Sequence, residues 1–125
     1  MNERTTRITR VGTVILPVSD QDGALELFVG TLGFEKRLDG EFAPGQRWIE
    51  VAPPGAETTI ALVAQGASEG VEISFATDDA EADHAAMLAA GIEADAELIR
   101  MGDGVPSMFT FRDPDGNRFR MVERI

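Results

Sequence analysis

Leu16-Pro17-Val18-Ser19-Asp20 is echoed in the second half of the chain by Phe75-Ala76-Thr77-Asp78-Asp79. Each segment ends a short apolar run with small polar side chains, a pattern that predicts a strand followed by the N-cap of a helix. Further along each half, Leu32-Gly33-Phe34-Glu35 is matched by Ala90-Gly91-Ile92-Glu93, where glycine is suited to end a helix. The repeat period is close to half of the chain, which indicates two copies of one structural unit.

Each copy predicts a strand, a helix and three further strands. In the first copy we expect a strand at Val11–Val18, a helix at 21–31 and strands at Phe34–Leu38, Arg47–Val51 and Thr58–Val63. In the second we expect a strand at Val71–Thr77, a helix at Ala80–Ala90 and strands at Ala94–Arg100, Ser107–Arg112 and Arg118–Glu123. Asp113–Asn117 has the composition of a tight turn, and Ala64–Gly70 that of a linker.

The predicted fold class is α+β. Two βαβββ modules, at about 8–63 and 71–125, would form curved mixed sheets around a cavity, with the helices on the outer faces. At 125 residues the chain has the usual size of a single domain, so we expect residues 1–125 to fold as one.

Charge and composition exclude several classes of function. Twenty-two acidic residues against eleven basic ones give a net charge of -11, which repels nucleic acid and anionic membranes. The same charge either favours a cationic ligand or serves solubility. The absence of cysteine excludes disulfides, Cys-ligated zinc and a thiol nucleophile. The N-terminal ten residues are polar and no segment is long enough to span a bilayer, so we expect a cytoplasmic protein.

Four segments carry a resemblance to a known family: residues 14–20, 32–34, 47–55 and 111–119. Together they resemble the vicinal-oxygen-chelate superfamily, which includes glyoxalase I, bleomycin-resistance proteins and extradiol dioxygenases. The resemblance implies the paired-module fold and a homodimer. It does not fix the function, because one scaffold can host many chemistries.

The resemblance also implies positions for a divalent metal, held by His early in the first strand of a module and Glu in its last strand. Those positions are occupied here by Thr13, Ala61, Glu72 and Arg120. Because only one is a plausible ligand and another is a cation, we predict no metal cofactor, although a divalent metal remains the alternative. The single histidine, His84, lies in the second predicted helix, where we expect a surface residue and not a ligand or base.

Strand alternation divides the remaining candidates between two faces. The residues expected under the helices are Val14, Leu16, Ile49, Val51, Ile60, Leu62, Phe109, Phe111, Phe119 and Met121. The residues expected to line the cavity are Thr13, Ile15, Trp48, Glu50, Ala61, Val63, Glu72, Ser74, Met108, Thr110, Arg112, Arg120 and Val122. From the second set, the predicted ligand contacts are Thr13, Ile15, Trp48, Glu50, Ser74, Met108, Thr110, Arg112 and Arg120.

Several of these side chains have two interpretations. Trp48 either stacks on a planar or cationic ligand or packs at a dimer interface. Glu72 is either a general base or the partner of Arg120 in a structural ion pair. Arg112 or Arg120 could instead hold a ligand carboxylate through bidentate hydrogen bonds.

Three functions follow from these interpretations. The first is metal-independent binding of a small organic molecule, as the bleomycin-resistance branch of the family would imply. The second is a lyase, isomerase or dioxygenase that uses a divalent metal, or Glu50 or Glu72 as acid or base. The third, ranked last, is a structural or regulatory protein with no ligand.

Overall fold

The computed structural model describes residues 5–64, 70–100, 102 and 104–124. The chain divides into two compact units, Met1–Gly66 and Ala67–Ile125. Most of the predicted linker, residues 65–69, lies outside the described residues. Within them, no helix has the length and apolar character needed to cross a membrane.

The first unit is a four-stranded mixed sheet with one helical segment. Its elements are β1 (Thr13–Val18), α1 (Gln21–Leu25) continued by a π-helix (Glu26–Thr31), β2 (Glu35–Ala43), β3 (Gln46–Ala52) and β4 (Thr59–Ala64). The strand order is β1-β4-β3-β2, with β1 parallel to β4 and the other pairs antiparallel. The predicted helix at 21–31 is confirmed over its full length.

The second unit repeats this topology. Its elements are β5 (Glu72–Thr77), α2 (Ala80–Ala89), β6 (Glu93–Ala94), β7 (Met108–Arg112) and β8 (Arg118–Glu123). The strand order is β5-β8-β7-β6, with β5 parallel to β8 and the other pairs antiparallel. Two β-rich units of the same topology confirm the α+β fold class.

Both helices begin at the predicted caps. The Asp20 carboxylate accepts a hydrogen bond from the Gly23 amide at 3.0 Å, and the Asp79 carboxylate accepts one from the Ala82 amide at 3.0 Å. Each bond satisfies an amide at a helix N-terminus that has no carbonyl partner within the helix. The repeated strand-and-cap segment therefore fixes the start of a helix in each unit.

The predicted set of core-facing strand residues is confirmed, whereas Ala61, expected to line the cavity, is fully buried. Of the ten residues expected under the helices, nine are buried and Val14 is half-buried. In the second unit the aromatic rings of Phe75, Phe111 and Phe119 contact one another, with the Phe111 and Phe119 centroids 5.0 Å apart. Burial of such large apolar side chains is the main favourable contribution to folding of each unit.

Two strand predictions are wrong in extent. The strand expected at Ala94–Arg100 ends as β6 at Ala94, and only an isolated bridge between Ile99 and Met108 follows. The reason is Asp95, whose carboxylate accepts the Thr110 amide at 3.0 Å and so occupies a donor that would otherwise continue the ladder. The strand expected to stop at Leu38 instead continues to Ala43, with two register shifts against β3.

Candidate functional site

Each sheet has one face that packs into the core and an opposite face that we call the open face. The open-face residues alternate along each strand with the buried ones. On the first sheet this face carries Thr13, Ile15, Trp48 and Glu50, four of the predicted ligand contacts. Strand pairing brings them together, because Ala61 on β4 lies opposite both Ile15 on β1 and Glu50 on β3.

Glu50 is the centre of a hydrogen-bonded network on this face. One carboxylate oxygen accepts the Trp48 Nε1–H at 2.7 Å, and the other accepts the Thr59 hydroxyl at 2.8 Å. The Thr59 and Thr13 hydroxyl oxygens are 3.0 Å apart and share a further hydrogen bond. The network fixes the indole and the carboxylate relative to each other before any ligand arrives.

Exposed apolar side chains surround the network. Ile15 is 52% exposed, Leu38 52% and Phe42 61%. The Phe42 ring packs edge-on against Trp48, with centroids 5.9 Å apart and planes at 86°. Leu38 lies opposite Glu50 in the pairing of β2 with β3. The first open face therefore combines apolar and aromatic surface with one hydrogen-bonded carboxylate, the usual composition of a small-molecule site.

The open face of the second sheet is charged. Glu72 lies 3.3 Å from the Arg118 guanidinium and 3.4 Å from that of Arg120, so the predicted Glu72–Arg120 ion pair is present. Ser74 and Thr110 lie opposite Arg120 on the two neighbouring strands. Of the other predicted contacts on this sheet, Met108 is half-buried opposite Val122.

Arg112 is held by Asp95. Its guanidinium donates to the Asp95 carboxylate at 3.0 Å, and the same carboxylate accepts the Thr110 amide. Burial raises the pKa of Asp95, but the hydrogen bonds from Arg112 and the Thr110 amide, with smaller contributions from the charges of Arg112 and His84, lower it below its usual value overall. Arg112 is therefore already engaged, while Arg120 is the more open of the two candidate carboxylate clamps.

His84 differs from its predicted place on the helix surface. It is half-buried, its Nε2 lies 2.7 Å from the Asp95 carbonyl oxygen, and its ring packs edge-on against Phe109 at 5.0 Å. Phe109 is a core residue, so the imidazole lies between α2 and the sheet. This histidine connects the helix to the segment after β6.

The positions that the family would use for a metal do not provide a suitable set of ligands. Ala61 is fully buried and has no donor atom, the Thr13 hydroxyl is bonded to Thr59, and Arg120 is paired with Glu72. Within the described residues, no group of three or more His, Cys, Asp or Glu side chains is arranged to hold a metal ion. Metal independence stays a prediction, to be tested in solution.

A cavity of about 470 Å³ lies on the helix side of the second unit. Its lining residues are Asp79, Glu81, Ala82, Ala85, Leu98, Arg100, Ser107 and Glu123. The carboxylates already have partners: Asp79 caps α2, Glu123 accepts the Ala80 amide and Glu81 pairs with Arg100. This cavity contains none of the predicted site residues, and the open faces remain the better candidates.

Five residues of the two faces were missed by sequence reasoning: Leu38, Phe42, Thr59, Asp95 and Arg118. Thr59 could have been found, because it alternates with Ile60 in the same way as Ala61. Leu38 and Phe42 fall at or beyond the end predicted for β2. Arg118 could also have been found, because it is two residues before Arg120 on the same predicted strand and alternation puts both on one face.

Comparison with known proteins agrees with this architecture. The chain is 32% identical over 121 residues to the uncharacterized protein YetH of Bacillus subtilis (strain 168), covering 93% of this chain and 99% of that protein. A glyoxalase/bleomycin resistance protein/dioxygenase superfamily member from Sphaerobacter thermophilus DSM 20745 is 35% identical, with a TM-score of 0.83 and coverage of 94% and 98% of the two chains.

TnmS3, an antibiotic binding protein from Streptomyces sp. CB03234, is 31% identical, with a TM-score of 0.82 and coverage of 96% and 99% of the two chains. The sequence profile described as Glyoxalase/Bleomycin resistance protein/Dioxygenase superfamily matches residues 10–121. That match spans both units, including the two open faces. The chain therefore belongs to the glyoxalase/bleomycin resistance protein/dioxygenase superfamily.

Proposed function

We propose that this protein binds a small organic molecule with a planar apolar part on the open face of the first sheet, without a metal. The observation that carries the proposal is the Trp48–Glu50–Thr59 network, surrounded by exposed apolar side chains. A ligand that covers Ile15, Leu38 and Phe42 removes apolar surface from water, which is the dominant favourable term in binding of this kind.

The indole supports recognition of a flat ligand. Its Nε1–H is bonded to Glu50 and its ring packs perpendicular to that of Phe42, so little side-chain entropy is lost when a ligand ring stacks on it. The Glu50 carboxylate has further lone pairs beyond its two bonds, so it can also accept a donor from the ligand. A cationic group beside the ring would gain from both the carboxylate and the indole face.

The similarity to an antibiotic binding protein at 31% identity supports binding over turnover. The ligand of this chain is proposed only as a class, a planar and amphipathic molecule of the kind that includes many antibiotics. The arrangement of Glu50 also favours a positioning role, because both oxygens accept hydrogen bonds from neighbouring side chains. A carboxylate used as a general base would need one oxygen directed at the proton that it removes.

The test is isothermal titration calorimetry of the purified protein in buffer that contains a chelator. The ligands are a panel of planar aromatic compounds with neutral and cationic members. We expect Trp48→Ala and Glu50→Gln each to weaken binding by about tenfold or more. Trp48→Phe keeps a ring but loses the bond to Glu50, and we expect an intermediate effect. Each variant is first checked for a native circular dichroism spectrum.

Glu57→Gln is the matched control, because Glu57 is exposed in the same unit and lies outside the network. Its affinity should equal that of the parent protein. Unchanged affinity in both Trp48→Ala and Glu50→Gln would refute the proposal. Chemical conversion of a bound compound, seen by mass spectrometry, would instead favour the enzymatic alternative.

A further inference from the structure

We propose that the open face of the second sheet is an oxyanion site, in which Arg118 and Arg120 bind a carboxylate, phosphate or phosphonate group of a small molecule. Glu72 competes with that group. The proposal goes beyond ligand binding on the first sheet and does not depend on it, since all its residues belong to the second unit.

The two arginines are neighbours on one face of β8. They are two residues apart on the strand, a separation of about 7 Å along its axis. Glu72 lies opposite Arg118 on β5, and Ser74 lies opposite Arg120 on the same strand. Thr110 lies opposite Arg120 on the other side. Pairing therefore places two guanidinium groups and two hydroxyl groups around one patch of sheet.

The contacts of Glu72 with the two arginines are loose. At 3.3 and 3.4 Å they are longer than the roughly 2.7–2.9 Å of a charge-assisted hydrogen bond. Among residues 5–64, 70–100, 102 and 104–124, neither guanidinium makes a hydrogen bond with another side chain. Most of their N–H donors therefore stay available to a ligand.

Arg47 in the first unit shows what a fully engaged arginine looks like in the same protein. Its Nε and Nη2 donate to the two oxygens of Asp39 at 2.8 and 2.9 Å, and its Nη1 donates to Asp22 at 2.8 Å. Arg112, opposite Arg118, is likewise hydrogen-bonded to Asp95. Arg118 and Arg120 differ from both because their pairing is incomplete.

Charge also favours an anion at this patch. Two half-exposed guanidinium groups, with side chains 59% and 47% exposed, share one carboxylate. Glu93 lies opposite Arg112, which is bonded to Asp95, and neither acid forms an ion pair with the two β8 arginines in the described part of the chain. Arg118, Arg120 and Glu72 together carry one net positive charge, in a chain with a net charge of -11. An oxyanion with two oxygens matches the planar fork of a guanidinium.

The experiment titrates the full chain with benzoate, phenylphosphonate and inorganic phosphate at constant ionic strength, following arginine side-chain N–H resonances by NMR. We expect the Nε–H signals of Arg118 and Arg120 to shift, and Arg118→Gln and Arg120→Gln each to weaken binding by about tenfold. We expect Glu72→Gln to strengthen binding by about fivefold, because it removes the competing carboxylate. Comparison of the three probes separates a carboxylate ligand from a phosphorus oxyanion and from free phosphate.

Arg100→Gln is the charge-matched control, since Arg100 pairs with Glu81 on the helix side of the same unit and is exposed. It should leave affinity unchanged, and inorganic phosphate, which has no ring to stack on Trp48, reports on the second sheet alone. If no probe binds, or if Arg100→Gln weakens binding as much as the β8 variants, the site does not exist. Weaker binding by Glu72→Gln would also overturn the proposal, because it would make Glu72 part of the binding machinery.

Discussion

Side-chain hydrogen bonds from Asp113 and Asn117 hold the tight turn between β7 and β8. One Asp113 oxygen accepts the Asp115 and Asn117 amides, each at 2.9 Å, and the other accepts the Asn117 side-chain amide at 2.8 Å. The side-chain Oδ1 of Asn117 in turn accepts the Val71 amide at 2.9 Å. The turn therefore fixes both the hairpin and the start of β5. Gly70 passes close to it.

Replacement of Gly70 by Ala should be unusually costly. Gly70 has φ of +86°, and a Cβ there would lie 2.5 Å from the Gly116 carbonyl oxygen. Gly55→Ala is the matched control, because Gly55 has φ of +80° with nothing within 4 Å of its Cβ position. We expect Gly55→Ala to lower the free energy of unfolding by about 1–2 kcal/mol, and Gly70→Ala by about 1–3 kcal/mol more. Urea unfolding of both variants measures the difference, and equal losses would contradict the expected clash.

Residue chemistry made part of the candidate site predictable. Trp48 and Glu50 are two positions apart in a strand, so alternation alone placed them on one face. Their hydrogen bond, and the contribution of Thr59, depend on strand pairing between residues that are distant in sequence. A single sequence identifies the side chains of this network, but it does not predict the distances between them.

At the scale of elements, Arg47 connects three parts of the first unit. From β3 it bonds to Asp39 on β2 and to Asp22 on α1. The hydrogen bond from Arg47, against a smaller opposing effect of burial, lowers the pKa of Asp39 from 3.8 to about 2, and Lys36 contributes further. The same contacts raise the pKa of Arg47 above its usual value. The ionised pair therefore supports the β2–β3 hairpin at neutral pH.

Acid should remove this support. Because the pKa of Asp39 is lower in the folded state, its contribution is present above pH 3.8 and is lost as the pH falls through about 2. We expect Asp39→Asn to destabilise the protein at pH 7 and to approach the stability of the parent protein only below about pH 2. Urea unfolding at several pH values tests this. A constant difference between the two proteins across that range would show that the pair does not titrate as proposed.

Elements were predictable to different degrees. The bounds of β8 agree with the predicted strand at both ends, because regular alternation and the flanking turn define it. β6 was overestimated because the apolar residues Leu98 and Ile99 continue the pattern after the ladder has ended at Asp95. Side-chain competition for one backbone amide is a local event that a hydrophobic pattern cannot reveal.

At the scale of the whole molecule, the repeat predicted the topology of both units, and family membership follows from it together with the comparisons. Function did not follow in the same way. Related members of this superfamily can differ in the few side chains of the open faces while keeping the same strands. The homodimer implied by the family resemblance stays a prediction.

Metal titration tests the whole-molecule prediction that ligand binding needs no metal. We expect the melting temperature of the purified protein to be unchanged by chelator or by Zn²⁺, Mn²⁺ and Ni²⁺, because a ligand that does not bind the native state cannot stabilise it. Elemental analysis of the same sample accompanies the thermal scan. Stoichiometric metal, or a clear rise in melting temperature, would make a metal-dependent enzyme the leading interpretation.

The parallel pairing within each unit has a consequence for how the protein is made. The fourth strand of each unit lies second in its sheet, between the first strand and the third, so neither sheet is continuous without it. During synthesis on the ribosome, β5 and β7 stay unconnected until Arg118–Glu123 has emerged, whereas the first unit can already have closed. Each unit therefore folds late relative to its own translation, because its sheet closes only when its fourth strand has been made.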